Sequence, residues 1–275
     1  MITVSTFGYP RHQVDTPTKY TLVHNAQEGY DIAYIQDGAI IDYMNGSLVV
    51  PETAKVVLRV CEEKTTFYQP GVHKAIHDNP DKHYDMLLTW EVDLLSKKNA
   101  VFCPVTDSSQ WTGLTAEAFK VYEKSKLVSA ISSNKAFLPG HVTRLGFINA
   151  VKHRLDMYGR GFNDIPTKME GLRDYMFSVT IENCTPTNAF SEKIQDCFLV
   201  GTIPIYYGPP NIGDFYDANG ILTFTTQEEL DHILDNLTPE MYYSRMVSVL
   251  SNYVKAFQYP TTNDSMYDLY FKQLI

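Results

Sequence analysis

The residues best suited to chemistry are two cations, each close to the start of a predicted helix. Lys193 lies two residues after Ser191, and Arg144 follows the turn segment PGH. A cation in a first turn opposes the helix macrodipole by some ~0.3–1 kcal/mol, and a bound anion would remove that conflict. Taken singly, each is more simply a solvated side chain, with Lys193 paired to Glu192 or Asp196. Because both follow strand-to-helix turns in one half of the chain, together they predict a diphosphate pocket.

A polar loop follows a predicted apolar strand just before Lys193. The strand within YMFSVTIEN ends in Glu182 and Asn183, and the loop then leads into the helix. Ligands of α/β folds bind at the carboxyl ends of strands, so this loop is a candidate binding loop. The segment YGRG, which begins at Tyr158 and Gly159, is a second candidate strand exit whose backbone would approach a ligand.

The elements that must position these residues follow an alternating pattern. Short apolar runs rich in β-branched and aromatic residues alternate with helix-period segments, which is typical of βα units and mostly parallel sheets. Predicted strands span residues 31–35, 56–60, 84–89, 100–104, 125–132, 157–158, 175–181 and 203–206. Predicted helices span 142–155, 167–173, 192–200, 227–237 and 239–256, with a short one from 264. The segment DSSQWTGLT at 107–115 is predicted to be a loop.

Two α/β halves joined near residues 107–125 are the simplest organisation of these elements. We expect an N-terminal domain over 1–120, a second domain over 121–260 and a C-terminal helix over 261–275 that packs back on the first domain. The ligand is expected in the cleft between the two domains, facing the carboxyl ends of the strands.

Composition and missing motifs exclude several classes of protein. The 23 Lys and Arg stand against 32 Asp and Glu, and the formal charge of −9 argues against nucleic acid or anionic lipid as a partner. The chain contains neither a P-loop nor a G-x-G-x-x-G dinucleotide fingerprint, and it has no Asp-x-Asp pair for a metal-bound diphosphate. Motifs of zinc proteases and of serine hydrolases are also missing.

The location expected from the sequence is cytoplasmic. The first ten residues, MITVSTFGYP, have no basic start and no apolar run, and no stretch of about eighteen apolar residues occurs. We therefore expect a soluble chain without signal peptide or transmembrane segment. The widely spaced cysteines predict reduced thiols, not a zinc site or a disulfide framework. They are Cys61, Cys103, Cys184 and Cys197.

Three stretches in order carry a resemblance to a known family. They are KAFLPGHVTRLGFINAVKHRLDMYGRGF, FSVTIEN and SEKIQDCFLVGTIPIYYG. Over about residues 125–225 the chain resembles the C-terminal half of the family 10 fucosyltransferases, whereas the N-terminal half matches only loosely. The resemblance implies a GT-B arrangement of two Rossmann-like domains, with the acceptor side in the N-terminal domain and the nucleotide sugar held by the C-terminal one. It also implies transfer of fucose from GDP-fucose to a glycan acceptor with inversion, without an obligatory metal or other cofactor.

The resemblance assigns roles to residues of the second half. Arg144 and Lys193 would contact the diphosphate of the nucleotide-sugar donor. Asn183 and Glu192 would bind the nucleotide or its ribose, while Glu182 would shape the loop.

The resemblance also implies a catalytic base in the first half. In the family this base is a glutamate at the end of a central strand, and here the predicted strand 56–60 is followed by Glu62 and Glu63. Glu62 aligns better with the family position. Adjacent residues leaving a strand point to opposite sides, so only one of them can face the cleft, and Glu63 is the alternative.

This chain departs from the family pattern just before Lys193. The sequence Asn188-Ala189-Phe190-Ser191 keeps one aromatic residue and has Ser where the family has Thr. Phe190, together with Tyr158 and Gly159, is expected to line the donor site. There is no stem or anchor like that of Golgi members, so we expect an enzyme of bacterial or viral type.

Other aromatic and histidine residues receive simpler interpretations. Trp90 is expected in the core, and Trp111, in its polar loop, is the better candidate for a sugar platform. Three histidines in a polar stretch without ligand-like spacing are expected to be exposed loop residues near the acceptor. They are His73, His77 and His83.

Two alternatives to a fucosyltransferase remain open at this point. One is the same machinery with another nucleotide sugar. The other is a non-catalytic module that binds a nucleotide or a glycan. The presence of Glu62, Arg144, Asn183, Glu192 and Lys193 favours an enzyme.

Overall fold

Two separate parallel sheets, one of six strands and one of five, organise the chain. The computed structural model describes residues 1–8, 17–63, 71–106 and 118–275. These residues fall into two compact units, the first formed by 1–105 with 262–275 and the second by 106–261.

The sheet of the first unit has the strand order β2-β1-β3-β4-β5-β6, with every pair parallel. Its strands are β1 Thr3–Phe7, β2 Thr21–His24, β3 Ile32–Gln36, β4 Lys55–Arg59, β5 Met86–Thr89 and β6 Ala100–Phe102. The helices described in this unit are α1 Gly38–Asn45, α2 Val72–Asp78, α3 Val92–Leu95 and, near the C-terminus, α10 Asn263–Met266.

Both faces of the first sheet are covered. All five residues of β3 are buried, as expected for a central parallel strand. Ala33 and Ile35 pack in the core on one face, whereas Ile32 and Tyr34 pack on the other. Phe271 belongs to this second cluster, so the C-terminal segment forms part of the core of the first unit.

The sheet of the second unit has the order β11-β10-β9-β7-β8 and is also parallel throughout. Its strands are β7 Lys126–Ile131, β8 Asp156–Tyr158, β9 Tyr175–Ile181, β10 Ile203–Tyr207 and β11 Leu222–Thr223. The helices described here are α4 Pro139–Val151, α5 Met169–Leu172, α6 Glu192–Leu199, α7 Gln227–Asp235, α8 Pro239–Tyr243 and α9 Met246–Ala256. All seven residues of β9 are buried.

Each sheet has one topological switch point, where successive strands of the chain begin to be added on the opposite side of the sheet. In the second unit this point lies between β7 and β9, because β8 is on the outer side of β7 while β10 and β11 follow β9. In the first unit the corresponding point lies between β1 and β3. Ligands of doubly wound folds bind outside the carboxyl ends of the strands at such a switch point.

The predicted α/β fold with parallel sheets is confirmed, with local differences. β1 and β2 were not predicted. Ser5 and Thr6 interrupt the apolar signal of β1, and β2 is a four-residue strand without a fully buried residue. Ser5 and Thr6 are buried, Ser5 Oγ accepts a hydrogen bond from the Ala26 amide, and Thr6 Oγ1 contacts the His24 ring. The predicted helix 239–256 is two helices, α8 and α9, which are separated at residues 244–245.

The boundaries between the two units lie at 105/106 and 261/262, compared with the expected 120/121 and 260/261. The roles expected for the two domains, acceptor binding for the first and donor binding for the second, stay predictions. Within the described ranges, no helix combines the length and the apolar character needed to cross a membrane.

Candidate functional site

Two glycines allow tight backbone packing at the switch point of the second sheet. A Cβ on Gly140, the second residue of α4, would lie 1.6 Å from the carbonyl oxygen of Asn183. A Cβ on Gly159, whose φ is +104°, would lie 2.1 Å from the carbonyl oxygen of Ser132. Only glycine fits either contact. The start of α4 therefore lies against the exit of β9, and the exit of β8 lies against that of β7.

Arg144 is buried at this switch point and connects the exits of β7 and β9. Its side chain is on the buried side of α4 and the residue is only 7% exposed. Nη1 donates to Asn183 Oδ1 at 2.5 Å, and Nη2 donates to the carbonyl oxygens of Ser133 and Lys135 at 3.2 and 3.3 Å. Burial lowers the pKa of the Arg144 guanidinium. Arginine remains a cation in proteins, so the site holds a buried positive charge.

Lys193 lies in the first turn of α6 and is held at the same strand exit. Its Nζ donates to Ser191 Oγ at 2.9 Å and to Glu182 Oε2 at 3.2 Å. Glu192 Oε1 is 3.5 Å away. Burial by itself lowers the pKa of Lys193, but the carboxylates of Glu182 and Glu192 raise it above its ordinary value. Lys193 is therefore fully charged at neutral pH.

The structure brings the two predicted cations to consecutive residues of one loop. Arg144 is bound to Asn183 and Lys193 to Glu182, and these acceptors are neighbours in the chain at the end of β9. The two charges are close enough for Arg144 to lower the pKa of Lys193. The two cations therefore lie close together in the second unit. Arg144, however, is the sixth residue of α4 and not part of its first turn as expected, because the helix begins at Pro139. Their binding of a diphosphate stays a prediction.

Glu192 connects Lys193 to a third cation that the sequence did not indicate. Lys168 Nζ lies 2.5 Å from Asp196 Oδ2 and 3.6 Å from Glu192 Oε1. Although burial opposes ionisation of Glu192, Lys193 and Lys168 lower its pKa to about 2. Glu192 is therefore an anion between two lysines. Lys168 was missed because its partners are 24 and 28 residues away, which no local pattern encodes.

His141 is a second residue that the sequence interpretation missed, and it lies in the first turn of α4, three residues before Arg144. It is 5% exposed, and within the described ranges its Nδ1 is buried without a hydrogen-bond partner. Burial lowers the pKa of His141, and so do the charges of Arg144, Lys135 and Lys193. The imidazole is consequently neutral at pH 7, with a buried nitrogen that still lacks a hydrogen-bond partner among the described residues.

Two predicted donor-site residues have side chains engaged elsewhere. Phe190 is 1% exposed and packs against the rings of Phe215, Tyr216 and Tyr259 at centroid distances of 4.9 to 5.6 Å. The hydroxyl of Tyr158 is 2.7 Å from that of Tyr175, which in turn donates to an aspartate. Phe190 is thus packed in the core of the second unit, and its expected place in the donor site stays a prediction, as does that of Tyr158.

The candidate base lies in the first unit, after β4. Asp37 Oδ1 accepts hydrogen bonds from the backbone amides of Cys61 and Glu62, at 2.7 and 3.4 Å, and so fixes this loop. Glu62 is exposed, whereas Glu63 is half-buried. The choice between the two as base stays a prediction.

The burial and secondary structure of the tryptophans and histidines agree only in part with the expectations. Trp90 is 3% exposed, in agreement with a core position, and its Nε1 donates to the Cys61 carbonyl at 2.9 Å. Trp111 lies outside the described residues. His73 is not an exposed loop residue: it belongs to α2, and its side chain is 14% exposed. The reason is that residues 72–78 form a helix whose first turn faces the sheet.

The groups gathered at the switch point of the second unit form a candidate anion site. Arg144 and Lys193 supply two fixed positive charges, of which Lys193 is paired with the carboxylates of Glu182 and Glu192. The starts of α4 and α6 add the positive ends of two helix dipoles. The Nε of Arg144 is buried and, in the part of the chain that the structure describes, has no hydrogen-bond partner. A diphosphate could satisfy it together with Nδ1 of His141. A pocket of this composition suits a ligand with adjacent negative charges.

Two parallel, doubly wound units of this kind define the GT-B class of α/β fold, which confirms the predicted fold class. Solved structures of an alpha1,3-fucosyltransferase share the fold. The one with GDP-fucose has a TM-score of 0.53 and 16% identity, and the one with GDP has 0.56 and 17%. Each comparison covers 89% of this chain and 81% of the other. TarM has a TM-score of 0.51 with 14% identity, covering 88% of this chain and 54% of TarM.

Curated relatives confirm the resemblance to fucosyltransferases seen in the sequence. A fucosyltransferase-like protein of Arabidopsis thaliana is 31% identical over 84 residues, which is 29% of this chain and 16% of the relative. The alpha-(1,3)-fucosyltransferase FucT of Helicobacter pylori is 25% identical over 124 residues, covering 42% of this chain and 25% of FucT. The matched region therefore spans a quarter or less of each relative. No family model matches the chain.

Proposed function

We propose that this chain is an inverting glycosyltransferase that transfers fucose from GDP-fucose to a hydroxyl group of a glycan acceptor. The observation that carries the proposal is the pairing of Arg144 and Lys193 with the consecutive residues Asn183 and Glu182 at the switch point. The likeness to solved alpha1,3-fucosyltransferase structures with GDP and GDP-fucose supports the choice of donor.

In this proposal the cations act on the leaving group. Cleavage of the glycosidic bond leaves GDP with additional negative charge on its diphosphate. Arg144 and Lys193 are held in place by protein acceptors, so they stabilise that charge without reorganising during the reaction. Neutral His141 donates from Nδ1 to a phosphate oxygen, and Asn183 and Glu192 bind the nucleotide or its ribose. The proposal requires no metal and no other cofactor.

The second part of the chemistry is removal of the acceptor proton. An inverting reaction needs a base on the face of the sugar opposite the leaving group. We assign this role to Glu62, whose loop is fixed by the buried Asp37 through two backbone amides. These two hydrogen bonds hold the backbone from which the exposed Glu62 carboxylate would reach the acceptor hydroxyl.

We also propose that the protein works in a reducing compartment such as the cytoplasm. The four cysteines are all free, two of them buried and two partly exposed. Proteins of oxidising compartments commonly pair such thiols as disulfides. This distribution supports a cytoplasmic setting.

The function is tested by binding and turnover measured on the same variants. Isothermal titration with GDP and with UDP is expected to show binding of GDP only, and the intact chain is expected to release GDP from GDP-fucose. Arg144→Ala and Lys193→Ala are each expected to reduce turnover by about 10²-fold or more, the usual effect of removing one charge-stabilising donor.

Lys152→Ala is the matched control. Lys152 directly follows α4 and is exposed, with its Nζ bound only to Asn149 Oδ1 in the described part of the chain. Its removal is expected to leave GDP affinity and turnover unchanged. A preference for UDP would replace the proposed donor, and absence of nucleotide binding would overturn the proposal as a whole.

A further inference from the structure

We propose that His73, Glu91 and Asp93 of the first unit form a binding site for one divalent transition-metal ion of the Zn²⁺ type. The three side chains offer one nitrogen and two carboxylate oxygens, and these atoms all lie within 4.8 Å of one another. The proposal does not rest on the function proposed above, because all three ligands belong to the first unit and none belongs to the anion site.

The fold brings the three residues together at the carboxyl edge of the first sheet. Helix α2 connects β4 to β5, so its first turn, which contains His73, lies at the edge where β4 ends. Glu91 follows β5 by two residues at this same edge and precedes α3. Asp93 is the second residue of α3. Residues distant in sequence thus converge because parallel strands end side by side.

The contact between His73 and Glu91 has the form of two metal ligands. Nε2 of His73 lies 3.0 Å from Glu91 Oε1, yet this nitrogen is buried and, among the described residues, makes no hydrogen bond. The carboxylate is itself buried, since Glu91 is 5% exposed. The two atoms are within ion-pair distance, and their close approach is favourable when a positive charge lies between them, which a shared metal ion would supply. Two ligands about 2.0–2.2 Å from Zn²⁺ at a tetrahedral angle are themselves about 3.4 Å apart.

The donor set determines the class of ion. One imidazole and two carboxylates suit Zn²⁺ and its neighbours, whereas Mg²⁺ and Ca²⁺ prefer oxygen ligands alone. The two carboxylates bring negative charge toward the double positive charge of the ion. Asp93 is exposed, and its side chain can complete the coordination from the solvent side. Water would fill the fourth position, as in other three-ligand sites.

The cation would hold together the segments that follow β4 and β5. Trp90, immediately before Glu91, donates a hydrogen bond from Nε1 to the Cys61 carbonyl in the loop after β4. A metal that joins α2 to Glu91 would therefore also hold Trp90 in place. The expected role is positional, and no step of sugar transfer is assigned to the ion.

The test is metal binding by the intact, untagged chain after treatment with a chelator. Titration with Co²⁺, followed by its visible absorption, is expected to show one tightly bound equivalent that Zn²⁺ displaces. His73→Ala and Asp93→Asn are each expected to weaken binding by at least ~10-fold. Asp93 is exposed, so its substitution keeps the fold, and circular dichroism of each variant verifies this.

His77→Ala is the matched control, because His77 lies one turn further along α2 and is exposed. The His77→Ala variant is expected to bind Co²⁺ with the same affinity as the unsubstituted chain. The proposal is wrong if the intact chain binds no Co²⁺ or Zn²⁺. It is equally wrong if Asp93→Asn binds as tightly as the unsubstituted chain, since the ion would then sit at other histidines. Neither outcome affects the titration with GDP.

Discussion

Glu182 is the residue that organises the charges around the anion site. Its carboxylate accepts hydrogen bonds from the amide and the hydroxyl of Ser191 at 3.0 and 2.6 Å, from the Tyr206 hydroxyl at 3.0 Å and from Lys193 at 3.2 Å. At 4% exposure it is almost completely buried. A buried carboxylate is tolerated because every oxygen is satisfied. The sequence indicated that Glu182 shapes the loop, but not that it holds Lys193.

Glu192 gives a pH-dependent contribution to the stability of the second unit. Its pKa is about 2 in the folded state, below the ordinary value of about 4.3. The unfolded chain therefore takes up the proton first as the pH falls, and the stabilisation present above about pH 5 is progressively lost toward pH 2. Between pH 6 and pH 3 the free energy of unfolding should drop by ~1–2 kcal/mol more than in Glu192→Gln.

Urea denaturation of both proteins at the two pH values measures this difference. Glu240→Gln, at an exposed glutamate of α8, is the control and should behave as the unsubstituted chain does. Equal pH dependence in Glu192→Gln and in the unsubstituted chain would contradict the assignment of an ion pair between Glu192 and its two lysines.

Two substitutions distinguish whether Glu62 or Glu63 is the catalytic base. Glu62→Gln is expected to abolish sugar transfer while sparing GDP affinity, because the base does not contact the leaving group. Glu63→Gln keeps the same backbone and loses the other carboxylate, and should retain transfer. Steady-state rates and GDP titration of both variants provide the measurement. Loss of transfer in Glu63→Gln alone would place the base one residue further along the chain.

Helix α4 shows how one element delivers several functional groups at once. Its start approaches the exit of β9 through Gly140, and its buried side carries His141 and Arg144. The strand signals β3, β4, β9 and β10 were readable from sequence because their residues are mostly apolar and almost all buried. The partners of the side chains were not readable, since hydrophobic periodicity reports which face is buried but not which residue lies opposite.

Gly140→Ala tests the dependence of the site on the position of α4. The added methyl would overlap the Asn183 carbonyl oxygen, so the start of the helix must shift and the hydrogen bond from Arg144 to Asn183 is strained. GDP affinity measured by titration is expected to fall at least ~10-fold.

Gly146→Ala in the same helix is the control, because a Cβ added at Gly146 would meet nothing within 4 Å. This variant should bind GDP normally and gain up to about 1 kcal/mol of stability. Unchanged affinity in Gly140→Ala would show that α4 does not position the site.

At the scale of the whole molecule, the first unit is assembled from two distant parts of the chain. Residues 262–275 belong with 1–105, although the entire second unit lies between them. Asp264 accepts hydrogen bonds from the amide and the hydroxyl of Thr18 at 2.8 and 2.6 Å. Phe271 packs edge-on against Tyr34 with ring centroids 5.3 Å apart. The return of the chain was expected from the sequence, whereas its contribution to the core was not, because the aromatic residues of a short helical segment have no local partner.

Phe271→Ala should weaken the first unit selectively. Phe271 is 1% exposed, and truncation of a buried phenylalanine costs about 3–5 kcal/mol. Amide hydrogen exchange is expected to accelerate in β3 and β4 while β9 of the second unit keeps its protection. Ile275→Ala, at a residue that is 59% exposed, provides the control and should change neither. Equal loss of protection in both units would contradict the division of the chain into two units.

The late return of residues 262–275 also has a consequence for synthesis on the ribosome. Domains generally fold as units as the nascent chain emerges, with the earlier one first. Here the order is reversed, because residues 106–261 are complete before the segment that contains Phe271 has been translated. Until then Ile32, Tyr34 and Val57 present an uncovered apolar surface, which is the kind of surface that chaperones bind.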